Sequence, residues 1–277
     1  MRAAWWPALL APWLLLASPA FAHDSWFTPL PRTDRGEAVL AFGTGNQFPV
    51  YEVGMPLAQL AGSGCQGEAQ GGGQRAAPLR WVADRPIALV LRSARPVPAT
   101  ATLTCWAQLH PIDIEIPDNT TVEVYLKEVN ALPAVRERWD ALRARGVRWQ
   151  ETYTKHARIE LGAVDGAAAP ASLPVAIAGL GLDLRLETPG PLRAGDMLRA
   201  QLLRDGQPLA GLPLELRSDL SPVGIWRQTD AEGRISVTVP LAARWLLRGV
   251  DLRASERRTD AWDSRFITLA FEVLPKR

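Results

Sequence analysis

His23 is the residue of this sequence whose surroundings most clearly allow chemistry. An apolar run of about 13 residues follows Arg2, too short for the roughly 20 residues of a membrane span. Ala20 and Ala22 then occupy the two small-residue positions of a signal-peptide cleavage site. We therefore predict a secretory signal peptide over residues 1–22 and a periplasmic mature protein. Cleavage after Ala22 leaves a free α-amine and an imidazole on His23, two nitrogen donors that can chelate one metal ion.

A metal site needs three or four donors, so further candidate ligands have to come from elsewhere in the sequence. Asp24 is a candidate either as an oxygen ligand or as the partner that orients the imidazole of His23. His110 precedes Pro111, which places it at the end of a strand, and it is the first choice for a second histidine ligand. His156 is the reserve. Each of these residues also fits an ordinary role as a solvated or hydrogen-bonded side chain. Imidazole donors suit Zn, Cu, Fe and Ni.

The composition is that of a folded and nearly neutral protein. The 277 residues include 31 Lys and Arg against 29 Asp and Glu, for a formal net charge of +2, and 47% are apolar. Because no basic stripe stands out, we expect no nucleic acid as a partner. Removal of residues 1–22 leaves 255 of the 277 residues, which suits two domains that we place at 23–165 and 175–277. No later apolar run is long enough to span a membrane, so we expect no membrane insertion after signal cleavage.

The two cysteines, Cys65 and Cys105, are expected to form a disulfide in an oxidising compartment. The alternative is that both thiols bind a metal, but metal-binding pairs usually come as Cys-x-x-Cys, and these two lie far apart in the sequence. Cys65 belongs to a glycine-rich segment over 62–74, which we interpret as a flexible surface loop. This segment lacks the Gly-Lys-Ser/Thr ending of a phosphate-binding loop.

Alternating apolar and polar residues predict a mainly β fold. Within the first half, Thr120 and Glu123 fit a capping box at the start of a helix, and Pro133 fits the first turn of a second helix. Beyond residue 175, seven short strand-like runs predict a β-sandwich of immunoglobulin or transthyretin type. We therefore expect two β-sandwich domains, of which the first carries a helical-hairpin insert.

Several short motifs follow one another along the chain: Ala22-His23-Asp24-Ser25-Trp26, Phe48-Pro49, Tyr125-Leu126-Lys127-Glu128, Glu151-Thr152-Tyr153-Thr154-Lys155, Asp205–Gly211, Thr229–Arg234, Arg244-Trp245-Leu246-Leu247 and Asp260–Ser264. Their order resembles the NikM-like family, a domain of unknown function described as a periplasmic component of cobalt/nickel uptake. The resemblance covers nearly all of the predicted mature chain. It implies an exported, mostly β protein with a metal-related role, Ni, Co or Cu as the ion at His23, and a membrane metal-transport complex as its partner.

Three classes of function remain open from the sequence. The first is a periplasmic protein that binds or delivers a transition metal in association with metal uptake. The second is a metal-free β-sandwich adaptor that binds a protein or glycan partner, with Trp262 in the Asp260–Ser264 loop as the place to look, although burial of Trp262 is favoured. The third is an enzyme, namely a copper oxidase that uses an amino-terminal histidine. We expect no enzyme, because the sequence contains neither Gly-x-Ser-x-Gly nor His-Glu-x-x-His.

Overall fold

The computed structural model describes residues 23–68, 74–98, 102–162, 176–188 and 190–277. The signal peptide predicted over 1–22 and most of the segment that joins the two predicted domains lie outside these residues. Within the part that is described, the chain is mainly β and forms two sheets in a sandwich-like arrangement, with two α-helices. The prediction of the fold class is therefore confirmed. None of the helices described is long and apolar enough to cross a membrane.

The first half of the chain supplies eight strands and both helices. These elements are β1 (Asp24–Leu30), β2 (Val39–Gly45), β3 (Leu60–Glu68), β4 (Gln74–Arg85), β5 (Ala88–Ser93), β6 (Leu103–Leu109), β7 (Ile112–Ile116), α1 (Asn119–Glu128), α2 (Pro133–Ala144) and β8 (Trp149–Leu161), with a 3-10 turn at Leu57–Gln59. The second half supplies nine further strands. They are β9 (Leu182–Leu186), β10 (Leu192–Arg193), β11 (Met197–Arg204), β12 (Gln207–Pro208), β13 (Pro213–Ser218), β14 (Ser221–Gln228), β15 (Arg234–Thr238), β16 (Ala243–Ala254) and β17 (Trp262–Leu274).

One large sheet runs through both halves of the chain. Its strands follow the order β1-β2-β5-β4-β3-β6-β8-β17-β16-β13-β14, with β7 beside β8 and β10 beside β17. Near its centre β8 pairs in parallel with β17, in a register that sets Ile159 opposite Ala270. A smaller sheet contains β12, β11 and β15, with β9 paired to β11. The predicted domains 23–165 and 175–277 thus share a sheet, and the boundary between them stays a prediction.

Three hydrophobic cores lie against this large sheet, and β17 contributes to each of them. Its side chains point alternately to the two faces, as in any strand. Ile267 and Leu269 enter the core that the small sheet covers. Ala270 enters the core that is enclosed by β1, β2 and β5. Phe266 packs in the third core, beneath the two helices.

The helical hairpin forms where the sequence predicts it, but its first helix is capped by another residue. The side chain of Asp118 accepts hydrogen bonds from the backbone N–H groups of Thr120 at 3.3 Å and Thr121 at 2.8 Å. The predicted capping box of Thr120 with Glu123 is therefore wrong. A carboxylate satisfies two free N–H groups at once and lies at the positive end of the helix, which favours Asp118 over a threonine hydroxyl.

The glycine-rich segment predicted as a flexible loop is partly a strand. Residues 60–68 form β3, which pairs with both β4 and β6. A Cβ added to Gly62 or Gly64 would stand 3.4 Å or 3.2 Å from the ring of Trp106, so the indole packs directly on the backbone of β3. These glycines therefore permit the close approach of an aromatic ring to the strand, which is an established use of glycine within a sheet.

The predicted disulfide is present. Cys65 of β3 and Cys105 of β6 lie directly opposite each other in the register of the two strands and are bonded to one another. Both are buried in the core enclosed by β1, β2 and β5. The alternative in which the two thiols bind a metal is therefore wrong.

Trp262 lies in the third core and not in a surface loop. It opens β17, is 1% exposed and stacks on Trp149 with ring centroids 4.8 Å apart. Trp139 of α2 packs edge-on against the same Trp149. The burial of Trp262 that the sequence favours is therefore confirmed, and the helical hairpin covers this large aromatic surface. The metal-free adaptor stays a prediction.

Candidate metal site

The start of β1 is held by side chains from the centre of the large sheet. The backbone carbonyl of His23 accepts a hydrogen bond from Lys155 Nζ at 2.6 Å. The carbonyl of Ser25, two residues further on, accepts one from Thr268 Oγ1 at 2.6 Å. Lys155 belongs to β8 and Thr268 to β17, so two neighbouring strands hold the beginning of the first. Such contacts satisfy backbone acceptors that a buried strand would otherwise leave without partners.

Lys155 is nearly buried, with 9% of its surface exposed. Burial lowers the pKa of its ammonium group to about 8, against the opposing effects of Asp24 and Glu151. Its Nζ lies 5.3 Å from the ring centre of Tyr153 and 5.8 Å from that of Phe266, within the range of a cation–π contact. The lysine therefore lies between aromatic rings and donates to the carbonyl of the residue that the sequence singles out.

Asp24 forms a buried ion pair with Arg248. Its Oδ2 accepts a hydrogen bond from Arg248 Nη1 at 2.7 Å, and Arg248 Nε donates to Glu215 Oε2 at 2.7 Å. The third guanidinium nitrogen, Nη2, donates to the carbonyl of Glu128 at 2.9 Å. Burial alone would lower the pKa of Arg248, but the carboxylates of Asp24 and Glu215 outweigh it and raise that pKa above its ordinary value. Asp24 thus pairs with Arg248 through Oδ2, and its role toward His23 stays a prediction.

The imidazole of His23 lies beside a carboxylate that the sequence did not point to. His23 Nε2 is 3.9 Å from Glu52 Oε2, and the two side chains are 17% and 38% exposed. Glu52 Oε2 also accepts hydrogen bonds from the backbone N–H of Asn46 at 3.2 Å and from Asn46 Nδ2 at 3.1 Å. Glu52 lies between β2 and β3, 29 residues along the chain from His23, and no pattern in the sequence connects the two.

The structure separates His156 from His23. Side chains alternate along β8, so Lys155, which reaches His23, and His156 point to opposite faces of the sheet. Arg158, on the same face as His156, pairs with Asp183 of β9 at 2.9 Å. His156 is 2% exposed, and its Nδ1 donates to the carbonyl of Phe266 at 3.0 Å. It is therefore an ordinary buried histidine on the other side of the sheet, and the reserve role predicted for it as a ligand of the same ion does not fit this position.

His110 lies in the short connection between β6 and β7 and is exposed. Its backbone N–H donates to the carbonyl of Gln59 at 2.8 Å. Its position at a strand end, as expected from Pro111, is confirmed. Its role as a ligand stays a prediction. Among the residues that the structure describes, no group of three or more His, Cys, Asp and Glu side chains could hold a metal ion.

Lys155 is the residue of this site that the sequence could have revealed. Ala157 and Ile159 are apolar positions on one face of β8 and are buried. Lys155 is two residues earlier, so the same alternation places it on the core face, where a lysine needs a specific partner. Glu52 carries no comparable signal, because it lies in an irregular connection.

By its fold, the chain is a two-sheet β protein whose first strand is held by hydrogen bonds from buried polar side chains. It belongs to the DUF4198 family, a domain of unknown function, whose profile matches residues 20–250. Among curated proteins, none matches it significantly.

Several solved structures show a weak likeness to the chain. A titin fragment matches with 10% identity and a TM-score of 0.17, over 91% of this chain and 97% of that one. Red sea bream transglutaminase matches with 11% identity and a TM-score of 0.16, over 88% of this chain but only 31% of that one. The TIE protein of Bacillus anthracis matches with 11% identity and a TM-score of 0.16, over 90% and 41%. With TM-scores this low, none of these likenesses bears on the function of the chain.

Proposed function

We propose that this protein is exported to the periplasm and binds a transition-metal ion, Ni or Co and alternatively Cu, through its amino-terminal His23. In this proposal it delivers the ion to a membrane metal-transport complex. The observation that carries the proposal is the hydrogen bond of 2.6 Å from Lys155 Nζ to the carbonyl of His23. Chain ends are usually poorly ordered unless they are tied down. Here the residue that follows the predicted cleavage site is tied to the central strands.

Removal of the signal peptide would create the chelating group. The α-amine of His23 and its Nδ1 can bind one ion together and close a six-membered ring that runs through Cα, Cβ and Cγ. Both donors are of the nitrogen type that Ni, Co and Cu accept. Because β1 begins at Asp24, directly after His23, a mature chain that starts at His23 has no loose segment before the fold.

The number of protein donors favours transfer of the ion over permanent retention. Structural metal sites in proteins usually have four protein ligands. At this site the chelate supplies two donors, while Asp24 is paired with Arg248 and His156 lies on the other face of β8. The remaining coordination positions then take water or donors of a partner. The resemblance to the NikM-like family, with its context of cobalt/nickel uptake, supports the same function.

The test is a metal titration of protein whose first residue has been established by mass spectrometry. Protein that begins at His23 is compared with protein that retains Ala22, each titrated with Ni(II), Co(II), Cu(II) and Zn(II). In the longer protein the nitrogen of His23 is a peptide amide, and the amine of Ala22 is acetylated so that it cannot replace the lost donor. This converts a bidentate donor into a monodentate one, so we expect the affinity to fall by roughly 100-fold. His23→Ala in the processed protein should bind as weakly. Equal affinity of the two forms, or a mature protein that starts elsewhere, would overturn the proposal.

A further inference from the structure

Glu52 is held in place independently of His23. Its Oε2 accepts the two hydrogen bonds from Asn46, and its own backbone N–H donates to the carbonyl of Thr44 at 2.8 Å. Thr44 in turn bonds through its hydroxyl to that of Ser25 in β1, at 2.7 Å. These hydrogen bonds therefore hold the Glu52 carboxylate against the β1–β2 pair. His23 directly precedes β1, so the carboxylate lies beside the imidazole without depending on a contact with it.

The two nitrogens of an imidazole are not equivalent for an amino-terminal histidine. Only Nδ1 can close a ring with the α-amine of the same residue, since Nε2 lies on the far side of the imidazole. Glu52 lies on the side of Nε2, at 3.9 Å. A movement of about 1 Å would bring the two atoms to hydrogen-bonding distance. A carboxylate accepts from the nitrogen that bears the proton, so this arrangement favours the tautomer with hydrogen on Nε2 and the lone pair on Nδ1.

We infer that Glu52 is the positioning residue of the amino-terminal metal site. Its carboxylate accepts the Nε2–H of His23 and thereby directs the ion to Nδ1 and the α-amine. Metal-binding histidines commonly donate their other ring N–H to a carboxylate, and loss of such a partner typically costs 10–100-fold in metal affinity. This inference rests on the proposed function, since it assigns a role within the same site.

The geometry distinguishes this role from direct ligation by Glu52. An ion bound by Nδ1 and the α-amine lies on the side of the ring away from Nε2. Glu52 Oε2 is near Nε2 and already accepts two hydrogen bonds from Asn46. The carboxylate is thus placed to act on the proton of the imidazole and not on the ion.

The experiment uses processed protein that starts at His23 and carries ¹⁵N-labelled histidine. The variants are Glu52→Gln and Glu52→Ala, and Glu256→Gln serves as the matched control because Glu256 is exposed and remote in sequence. Imidazole ¹⁵N shifts give the tautomer of His23 in the metal-free protein, Cu(II) competition gives the affinity, and the Cu(II) EPR spectrum gives the donor set. A thermal melt checks that each variant is folded.

We expect both Glu52 variants to shift His23 away from the Nε2–H tautomer and to weaken Cu(II) binding by roughly 10–100-fold, with an unchanged donor set in EPR. The control should match the parent protein. If the parent binds Cu(II) and the Glu52 variants bind it equally well, the role of Glu52 falls and the proposed function stands. If Glu52→Gln removes an oxygen donor from the EPR spectrum, Glu52 is a ligand and not a positioning residue. If the parent binds neither Cu(II) nor Ni(II), the proposed function falls, and the role of Glu52 with it.

Discussion

Lys155 Nζ donates a hydrogen bond of 2.6 Å to the backbone carbonyl of His23, which lies 132 residues earlier in the chain. This contact joins the predicted amino terminus of the mature protein to β8, near the centre of the large sheet. It also places an ammonium group where little water reaches it. The hydrogen bond stabilises the start of β1, whereas burial of the charge lowers the free energy of unfolding. A substitution of Lys155 removes both and allows the two effects to be measured at different places in the protein.

Lys155→Met should loosen the start of β1 without a large loss of global stability. Burial lowers the pKa of Lys155 from 10.5 to about 8, and such a change corresponds to a penalty of roughly 3 kcal/mol on the charged form. Removing the charge relieves that penalty, which offsets the cost of about 1–3 kcal/mol for a carbonyl left without its donor. We expect lower ¹H–¹⁵N NOE values at Asp24 and Ser25, with an unfolding free energy close to that of the parent. Lys127→Met, at an exposed position on α1, is the control; unchanged NOE values at β1 would contradict this role of Lys155.

The ion pair between Arg248 and Asp24 should matter much more for stability. Arg248→Met leaves the carboxylate of Asp24 buried without its ion-pair partner, whereas Glu215 keeps Arg217 Nε at 2.8 Å. Breaking a buried pair in this way costs about 3–5 kcal/mol. We expect a loss of that size in urea unfolding, whereas Arg257→Met, whose side chain is 71% exposed, should change the free energy by less than about 1 kcal/mol.

Neutralising the unpaired carboxylate provides the internal control for this prediction. Adding Asp24→Asn to Arg248→Met should restore part of the lost stability, because the side chain at position 24 is then uncharged. If the double variant is no more stable than Arg248→Met alone, the loss comes from packing and not from unpaired charge.

The sequence predicts those parts of the fold that depend on local pattern. The alternation of apolar residues locates most strands, and Pro133 locates the start of α2. The partner of Asp24 lies 224 residues away in Arg248, and no local pattern carries such a pairing. For the same reason Glu52, in an irregular connection, cannot be linked to His23 before the chain is folded.

The wrong prediction for the glycine-rich segment has a physical cause. The glycines near Cys65 favour a loop when they are considered locally. In the structure, the indole of Trp106 packs on Gly62 and Gly64. Packing of a large aromatic ring from a neighbouring strand thus overrides the local preference.

The disulfide between Cys65 and Cys105 should contribute substantially to stability. It closes a loop with a sequence separation of 40 residues, for which loop-closure entropy gives about 4 kcal/mol. We expect the double variant Cys65→Ala, Cys105→Ala to lose stability of this order in urea unfolding. The parent should lose a similar amount when unfolded in the presence of a reductant, while the double variant should be insensitive to reductant. A parent protein whose stability does not depend on reductant would contradict the prediction.

His156 should make the protein less stable in acid. Burial lowers the pKa of His156 to about 4, with Arg265 acting in the same direction against the hydrogen bond to the carbonyl of Phe266. The unfolded chain takes up the proton near pH 6.5, whereas the native protein does so only near pH 4. Between these two pH values the unfolded state binds more protons than the native state. The unfolding free energy therefore falls as the pH is lowered from 6.5 to 4, and the contribution of His156 to this fall ends below pH 4.

The change should amount to about 3 kcal/mol from this one side chain, by the usual relation between a pKa difference and free energy. His156→Gln removes the titrating group, so its unfolding free energy, measured in urea from pH 7 to pH 4, should decline less steeply than that of the parent. His110→Gln replaces an exposed histidine and should leave the slope of the parent unchanged. If His156→Gln declines as steeply as the parent, the acid sensitivity comes from other groups. If His110→Gln flattens the curve instead, the histidine that controls stability lies at the β6–β7 connection and not under the small sheet.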